Sequence, residues 1–438
     1  MNSACLVLSC LKLPSLEGGY RRRSPIGLAS FLKLCYTSLV HKKTFQYRLY
    51  PTASQVTAMQ HILEECRWLY NHLLEQRKTT WEERKESFSM YDQINLFPAL
   101  KKERPSLATV HSQVLQNVAM RIDLAFKAFF RRVRAGERPG YPRFRGAGWY
   151  DSFTYPQGGY SVNSNSVTLS KIGTVKAVIH RPVEGKIKTC CIRHTSTGKW
   201  FVSLACEVED QPLPESTEAV GIDVGLSNFA TLSTGESIPN PRFFRSDEKA
   251  LAKAQRKLSK FEKGTPERRH RRKAVSHIHE RIANRRKDFA HQNSRRIVNR
   301  FGIIAVEDLS INRMIKNHCL AKSIADVAWG QFAAFLSYKA ESAGREYIAV
   351  NPAYTTQDCS WCGFRQLMPL SQREFHCPNC GLVLDRDHNA SINILSLGLQ
   401  AVGSIPRSPR PLVVGSSHAS TRKLLVVITG LKLEKNGG

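Results

Sequence analysis

The chain has 438 residues, 42% of them hydrophobic, which is room for two to four domains with buried cores. Lys and Arg number 65 against 36 Asp and Glu, a net charge of +29 that favours a polyanionic partner and leaves a ribosome-like or membrane-surface basic protein as the competing class. No run reaches the roughly 18 apolar residues of a membrane span, and eight of the 12 cysteines are scattered, which excludes a disulfide framework and fits a reducing compartment.

Residues 1–41 read as a disordered extension: ACLVLSCL at 4–11 has the look of a signal-peptide stretch, but Lys12 interrupts it and no basic flank precedes it. KTFQYRLY at 43–50 alternates like a strand and stops at Pro51. A helix follows, with Val56, Met59, Leu63, Cys66, Tyr70 and Leu73 on one face. A second helix carries Leu115, Val118, Ile122, Phe126, Phe129 and Val133, and both stripes are expected to be core. Gly and Pro break the pattern at 136–148, and 152–210 reads as short strands of an antiparallel barrel or sheet. QPLPEST at 211–217 is a linker, and AVGIDVGLSNFATLS predicts strand, turn, strand. Residues 251–300 read as one long helical segment holding 17 Lys or Arg against four Asp or Glu. Like charges at this density destabilise a helix unless an anion relieves them, so a phosphate backbone is the expected neighbour. RFGIIAVEDL at 300–309 predicts a buried strand, a helix covers roughly 323–343, and another starts near 388. From 398 onward the Ser-, Pro- and Gly-rich tail is expected to be disordered.

Three acids sit where a carboxylate is expensive to bury: Asp223 in AVGIDVG, Glu307 in IIAVEDL and Asp387 in LVLDRDHN. Each alone has a plain structural reading, Asp387 as a helix N-cap and Glu307 with Asp308 as a strand end. Together, a strand Asp before a hairpin, a second strand ending in an acid and an Asp at a late helix start match a ribonuclease-H-like nuclease core. Two Mg²⁺ ions would need such a cluster, since Mg²⁺ takes oxygen ligands. Asp223 would bridge, with Glu307 and Asp387 on either side; Asp308 and Asp385 rank below them.

Cys359, Cys362, Cys377 and Cys380 form C-x2-C-x14-C-x2-C with a glycine after each pair, the spacing of a closed, structural Zn²⁺ site. Tyr141-Pro-Arg143-Phe-Arg145 and Trp149-Tyr150 interleave aromatic and basic residues, which suits stacking on single strands or RNA as well as a plain basic turn.

Taken in order, FQYRLYPT (45–52), CRWLYNHLL (66–74), SQVLQ (112–116), AFKAFFRR (125–132), GYPRFR (140–145), GIDVG (221–225), NRRKDFAHQ (284–292), VEDL (306–309), SIADVAWGQF (323–332), YTTQDCSWCG (354–363) and CPNCGLVLDRDHNASINI (377–394) resemble the TnpB family, insertion-sequence proteins related to compact type V CRISPR effectors. The resemblance implies an α/β multi-domain protein: a ribonuclease-H-like (RuvC) nuclease core with a zinc-ribbon insertion, plus an N-terminal β-barrel with an inserted helical domain. It implies a wedge-type barrel at 42–52 and 137–212, a helical recognition domain at 53–136, a nuclease domain at 218–354 and 383–397, and a zinc-binding insertion for target nucleic acid at 355–382. The implied activity is RNA-guided cutting of DNA, with a guide RNA from the transposon end, a double-stranded DNA target bearing a short adjacent motif, one Zn²⁺ and catalytic Mg²⁺, in the cytoplasm of a prokaryote, associated with the nucleoid. Asp223, Glu307 and Asp387 fall on the family's nuclease acids, and Tyr91, Gln116 and Thr154 near its reader of the adjacent motif. Backbone contacts are expected from Arg143, Arg145, Arg268, Arg269, Arg271, Arg272, Arg285 and Arg286. The competing functions are a transposase that joins strands and an RNA-guided repressor that does not cut.

Overall fold

The computed structural model describes residues 40–209, 212–369 and 371–403. The extension before residue 40 and the tail after 403 lie outside the described residues, but the boundaries set from sequence shift: residues 40–41 open the first strand and 398–401 close the last helix.

Strand β1 (Val40–Tyr50) buries Phe45, Tyr47 and Leu49 on one face, the period-2 pattern of a half-buried strand. Pro51 ends it, and Thr52 caps helix α1 (Ala53–Arg84) through a capping box with Gln55. Short helices α2 (Met90–Asn95) and α3 (Phe97–Glu103) and a 3₁₀ turn at Pro105–Thr109 lead to α4 (Ser112–Arg134). Met59, Cys66, Leu69 and Leu73 of α1 share a core with Val114, Val118 and Ile122 of α4. The expected core stripe of α4 holds only in its first half. Val133 is 48% exposed and neighbouring Phe130 52%, because among the described residues no element covers the end of the helix well enough to bury them.

The chain then lays down β2 (Ser152–Tyr155), β3 (Tyr160–Val162), β4 (Ser166–Leu169), β5 (Gly173–Val178), β6 (Lys186–His194) and β7 (Trp200–Glu209). They join β1 in a seven-stranded antiparallel sheet, order β2-β6-β7-β1-β5-β4-β3. The first strand is therefore central, and α1 to α4 are an excursion between β1 and β2.

A second sheet has the order β10-β9-β8-β11-β12, from β8 (Ala219–Asp223), β9 (Asn228–Leu232), β10 (Ser237–Pro239), β11 (Ile303–Glu307) and β12 (Glu346–Val350). β8, β11 and β12 are parallel, while β8 and β9 form an antiparallel hairpin. Alternation along β8 and β11 splits their side chains between two faces. Val220, Ile222, Ile304 and Val306 pack with α6 (Pro266–Arg300) and α9 (Trp329–Ser342). Ala305 meets Ile394 of the last helix, α10 (Arg386–Ala401), on the other face. That helix lies hard against the strands: a Cβ on Gly221 would fall 2.1 Å from Ser391 O, and one on Gly398 2.5 Å from Ala305 Cβ.

Two predicted helices divide. The basic segment is a hairpin of α5 (Phe243–Ser259) and α6, turned at Gly264 with φ +99°, where Thr265 caps and Pro266 opens α6. The helix expected over 323–343 splits at Ala328, φ +59°, into α8 (Ala321–Val327) and α9, after a short α7 (Ile311–Met314). Between β12 and α10 a small module carries the cysteine pairs and a hairpin of β13 (Glu374–His376) and β14 (Val383–Asp385). No helix among the described residues is long and apolar enough to cross a membrane.

Candidate metal centres and nucleic-acid interface

Asp223 ends β8 and Glu307 ends the adjacent parallel strand β11, one register step beyond the Val306–Ile222 pair. Both share the parity of Gly221 and Ala305, so both aim to the α10 side. Asp387, in the first turn of α10, meets them there: a Cβ on Gly225 would lie 3.7 Å from its Oδ2. Burial pushes the Asp223 carboxyl well above the usual carboxylate range, and the charges of Glu307 and Asp387 push it further, while Arg386 pulls the other way. Burial also raises Glu307, against the Thr355 hydroxyl that donates to its Oε1 at 2.6 Å. The Arg386 guanidinium sits on Asp387 Oδ1 at 3.0 Å. Among the described residues only the four cysteine sulfurs form a group whose ligand atoms all lie within 4.8 Å of one another. The Glu307 and Asp387 carboxylates act on Asp223 from a longer range, a charge pattern that a hard cation relieves, and the all-oxygen donor set suits Mg²⁺ rather than Zn²⁺.

The lower-ranked acids separate cleanly. Asp308 is exposed at the strand end. Asp385, not Asp387, is the N-cap of α10, accepting from Asp387 N and His388 N at 3.0 Å. The capping reading of Asp387 is thereby removed.

The four cysteine sulfurs all lie within 4.8 Å of one another, with Cys359–Cys380 at 3.6 Å and Cys362–Cys377 at 3.5 Å. A tetrahedron with Zn–S bonds of about 2.3 Å has S–S edges of about 3.8 Å, so the cluster suits a structural metal. Each pair sits on a turn closed by its glycine, Gly363 N to Cys359 O and Gly381 N to Cys377 O, with φ of +76° and +71°. Burial pushes Cys359 up to about 11. At Cys362 burial raises the thiol too, but the Asn379 side chain and the Phe364 N–H outweigh it and hold it at about 7. His376 points elsewhere, to Glu374 at 3.2 Å.

Three residues that sequence reasoning missed tie the two centres together. Asn389 donates to Asp358 O and accepts from Ser360 N; Asn393, one turn on, donates to Thr355 O and Asp358 O. Thr355 in turn holds Glu307. The available signal was two asparagines four apart, on one face of a helix whose propensity does not favour them.

Of the expected nucleic-acid residues, Tyr91 is 72% exposed and Gln116 exposed, while the Thr154 hydroxyl accepts from Arg121 at 3.0 Å. Arg143 and Arg145 are exposed on a strap whose Arg145 backbone is held on both sides by Asn71. On the α5–α6 hairpin Arg269 and Arg272 are exposed and Arg271 is half-buried over Phe261. Others are committed inside the chain, which corrects the expectation that they are backbone contacts. Arg268 donates to Leu258 O and Phe261 O, closing the C-terminal end of α5. Arg286 pairs with buried Asp326 at 2.6 Å, whereas Arg285, 3.6 Å from Asp247 beside the closer Arg281, keeps 49% of its side chain exposed and stays open to an anion. A buried carboxylate needs such a partner more than a surface needs one more cation.

Comparison with known proteins places the chain. A family profile described as "Probable transposase" (OrfB_IS605) matches residues 203–318, and a "Cas12f1-like, TNB domain" profile matches 329–394. A "Helix-turn-helix domain" profile matches 41–86, where the structure has β1 and α1. A Streptomyces pristinaespiralis protein named "Putative RNA-guided DNA endonuclease" is 35% identical over 82% of this chain and 90% of its own length. An Escherichia coli K12 protein with a similar name is 31% identical over 84% of this chain and 96% of its own length. A solved Cas12f1 chain, from a complex with single guide RNA and target DNA, shares the fold at 14% identity with a TM-score of 0.51, over 81% of this chain and 98% of that one. At this identity and coverage, with the acids and cysteines assembled as described, the chain belongs to the TnpB family of IS605-type OrfB proteins.

Proposed function

We propose that the chain is an insertion-sequence RNA-guided DNA endonuclease whose cutting centre is Asp223, Glu307 and Asp387. The observation that carries this reading is the convergence of three carboxylates from β8, β11 and α10, with Asp223 buried among like charges. Mg²⁺ bound there would supply an activated water and charge stabilisation for in-line attack on a phosphodiester. Asp223, Glu307, oriented by the Thr355 hydroxyl, and Asp387 would hold the metal, and Arg386, on Asp387 Oδ1 at 3.0 Å, adds a positive charge beside them. The four cysteines hold one Zn²⁺ that keeps the module, and through Asn389 and Asn393 the start of α10, in place.

The remaining assignments follow the same reading. The seven-stranded sheet is the wedge-type barrel and α1 to α4 the recognition helices. Tyr91, Gln116 and Thr154 read the motif beside the target, and exposed Arg143, Arg145, Arg269 and Arg272 hold guide and target backbones. The intact acid set favours cutting over a binding-only repressor. The test is to purify the protein with its RNA, sequence that RNA, and replace its guide portion. Cleavage that moves to the newly matched DNA supports the reading; cleavage that ignores the guide returns the chain to a transposase proper.

A further inference from the structure

The second half of α4 keeps an apolar face that the core does not use. Phe126, Phe129, Phe130 and Val133 recur on it at helical spacing. Tyr141, on the strap that follows, packs edge-on against Phe126 and Phe129 at 5.6 and 5.5 Å, and Phe130 meets the same two rings. Phe130 and Tyr141 nevertheless stay about half exposed, as does Phe144 three residues on. A single exposed ring is ordinary on a protein surface, whereas a connected group of rings marks a surface that is used. The charge around this group has one sign. Residues 127–145 carry seven Lys or Arg and one acid, Glu137, all exposed. Lys127 is answered by Asp123 at 2.9 Å, while the six arginines pair with no carboxylate among the described residues. Such a surface repels a second copy of itself and attracts a polyanion. A duplex would meet the arginines and leave the rings idle, because its bases already stack on one another. An unpaired strand uses both, with phosphates on the guanidinium groups and bases on the ring faces.

We propose that this face holds an unpaired stretch of the resident RNA, stacking its bases on Phe130 and Tyr141 while the arginines of 131–145 take its phosphates. The proposal rests on the RNA-guided reading above and adds to its backbone contacts a site that tells unpaired from paired nucleic acid. In that reading two strands are unpaired: the RNA outside its hybrid with the target, and the displaced DNA strand. Phe126 packs on the core that α1 to α4 share with the seven-stranded sheet, and the acids stand on the other core. The occupant is therefore the strand that need not reach the acids and is bound before any DNA arrives, which is the RNA.

The experiment uses the full chain. The complex purified with its RNA, with no DNA added, is cross-linked by ultraviolet light and digested. A peptide from 127–145 carrying a nucleotide is expected. A cross-link here only after target DNA is added makes the displaced strand the occupant and overturns the proposal, as does no cross-link at all. The RNA-free chain is then titrated with oligo(rU) and with the same strand annealed to oligo(rA). Phe130→Leu with Tyr141→Leu keeps the apolar bulk and removes the flat rings. Affinity for the single strand then falls about tenfold, the scale of base–aromatic stacking, and affinity for the duplex stays. Phe130→Trp with Tyr141→Phe, which keeps both rings, binds like the wild type. An equal fall for both ligands, or none for either, overturns the stacking face. A wild type that sediments as a dimer beside a monomeric leucine variant gives the face to a second copy instead. Cutting that ignores the guide removes the RNA-guided reading alone, because the oligo(rU) titration decides the stacking face without it.

Discussion

The two candidate metal centres are built on opposite plans. The cysteine cluster comes from 22 consecutive residues, 359–380, and two local turns aim its sulfurs. The carboxylate centre comes from positions 84 and 80 residues apart, brought together only because β8, β11 and α10 pack as they do. The cysteines can adopt their geometry wherever their turns form. The acids repel one another, and the surrounding core must hold them against that repulsion. A site assembled by tertiary packing therefore carries strain that a local site does not, and the two respond differently to substitution.

The sharpest way to break the contrast is chemical. Asp223→Ala removes a ligand without touching the nucleic-acid surface, so cutting falls by about a thousandfold or more while target binding persists. Cleavage assays paired with gel-shift binding measure both; undiminished cutting ends the assignment. Cys377→Ser acts on the other centre. Structural zinc is worth about 10–16 kcal/mol in small fingers, so the variant loses its zinc and the 355–385 segment loosens. Metal analysis of the purified protein is the measurement, and one retained equivalent of zinc refutes the ligand set.

The strain itself can be read by pH. The Asp223 carboxyl is raised in the fold, so its protonated form is the stabilised one. In metal-free protein its contribution is fully present below the unfolded carboxylate range and is lost as pH rises through the raised folded value. Asp223→Asn keeps the shape and removes the charge. It should raise the metal-free melting temperature at neutral pH and flatten its fall with pH, with the difference shrinking on adding Mg²⁺. A melting temperature lower than wild type at neutral pH contradicts the strained-centre account.

Asn393→Ala cuts the link between the centres. It leaves the buried Thr355 carbonyl without this donor, while Asp358 O keeps Asn389, a cost of about 1–3 kcal/mol. Amide exchange at 355–360 should quicken more than in β8. Uniform protection would mean the asparagines are ornamental to the coupling. The smallest effect expected is on salt dependence. Neutralising Arg269 and Arg272 should flatten the slope of log affinity against log salt by roughly 0.7–0.9 for each phosphate that is no longer neutralised, across unrelated targets. Arg268→Ala should lower thermal stability and leave the slope alone, because that guanidinium closes a helix end. A slope change from Arg268 and none from Arg269 and Arg272 would reverse the division between structural and binding arginines.

Local patterns were legible from the residues alone. The spacing and glycines of the cysteine pairs, the alternation of FQYRLY, and the apolar faces of α1 and early α4 all encode short-range geometry, where side-chain period and turn chemistry decide the outcome. Gly264-Thr265-Pro266 encodes the break between α5 and α6 just as plainly, a turn glycine followed by a cap and a helix-opening proline. Three things needed the folded chain. Which of Asp385 and Asp387 caps α10 depends on a rotation of one residue along the helix start, which moves a side chain from the backbone amides to the sheet. Which arginines face solvent depends on where Asp326 is buried and where α5 ends, since a buried carboxylate or an open helix end takes the nearest cation whatever the sequence around that cation suggests. The joining of the cysteine module to the acid centre through Thr355, Asn389 and Asn393 depends on α10 lying against Gly221 and Gly398, a close approach that no local pattern specifies because its partners are distant in the chain and meet only when the core closes.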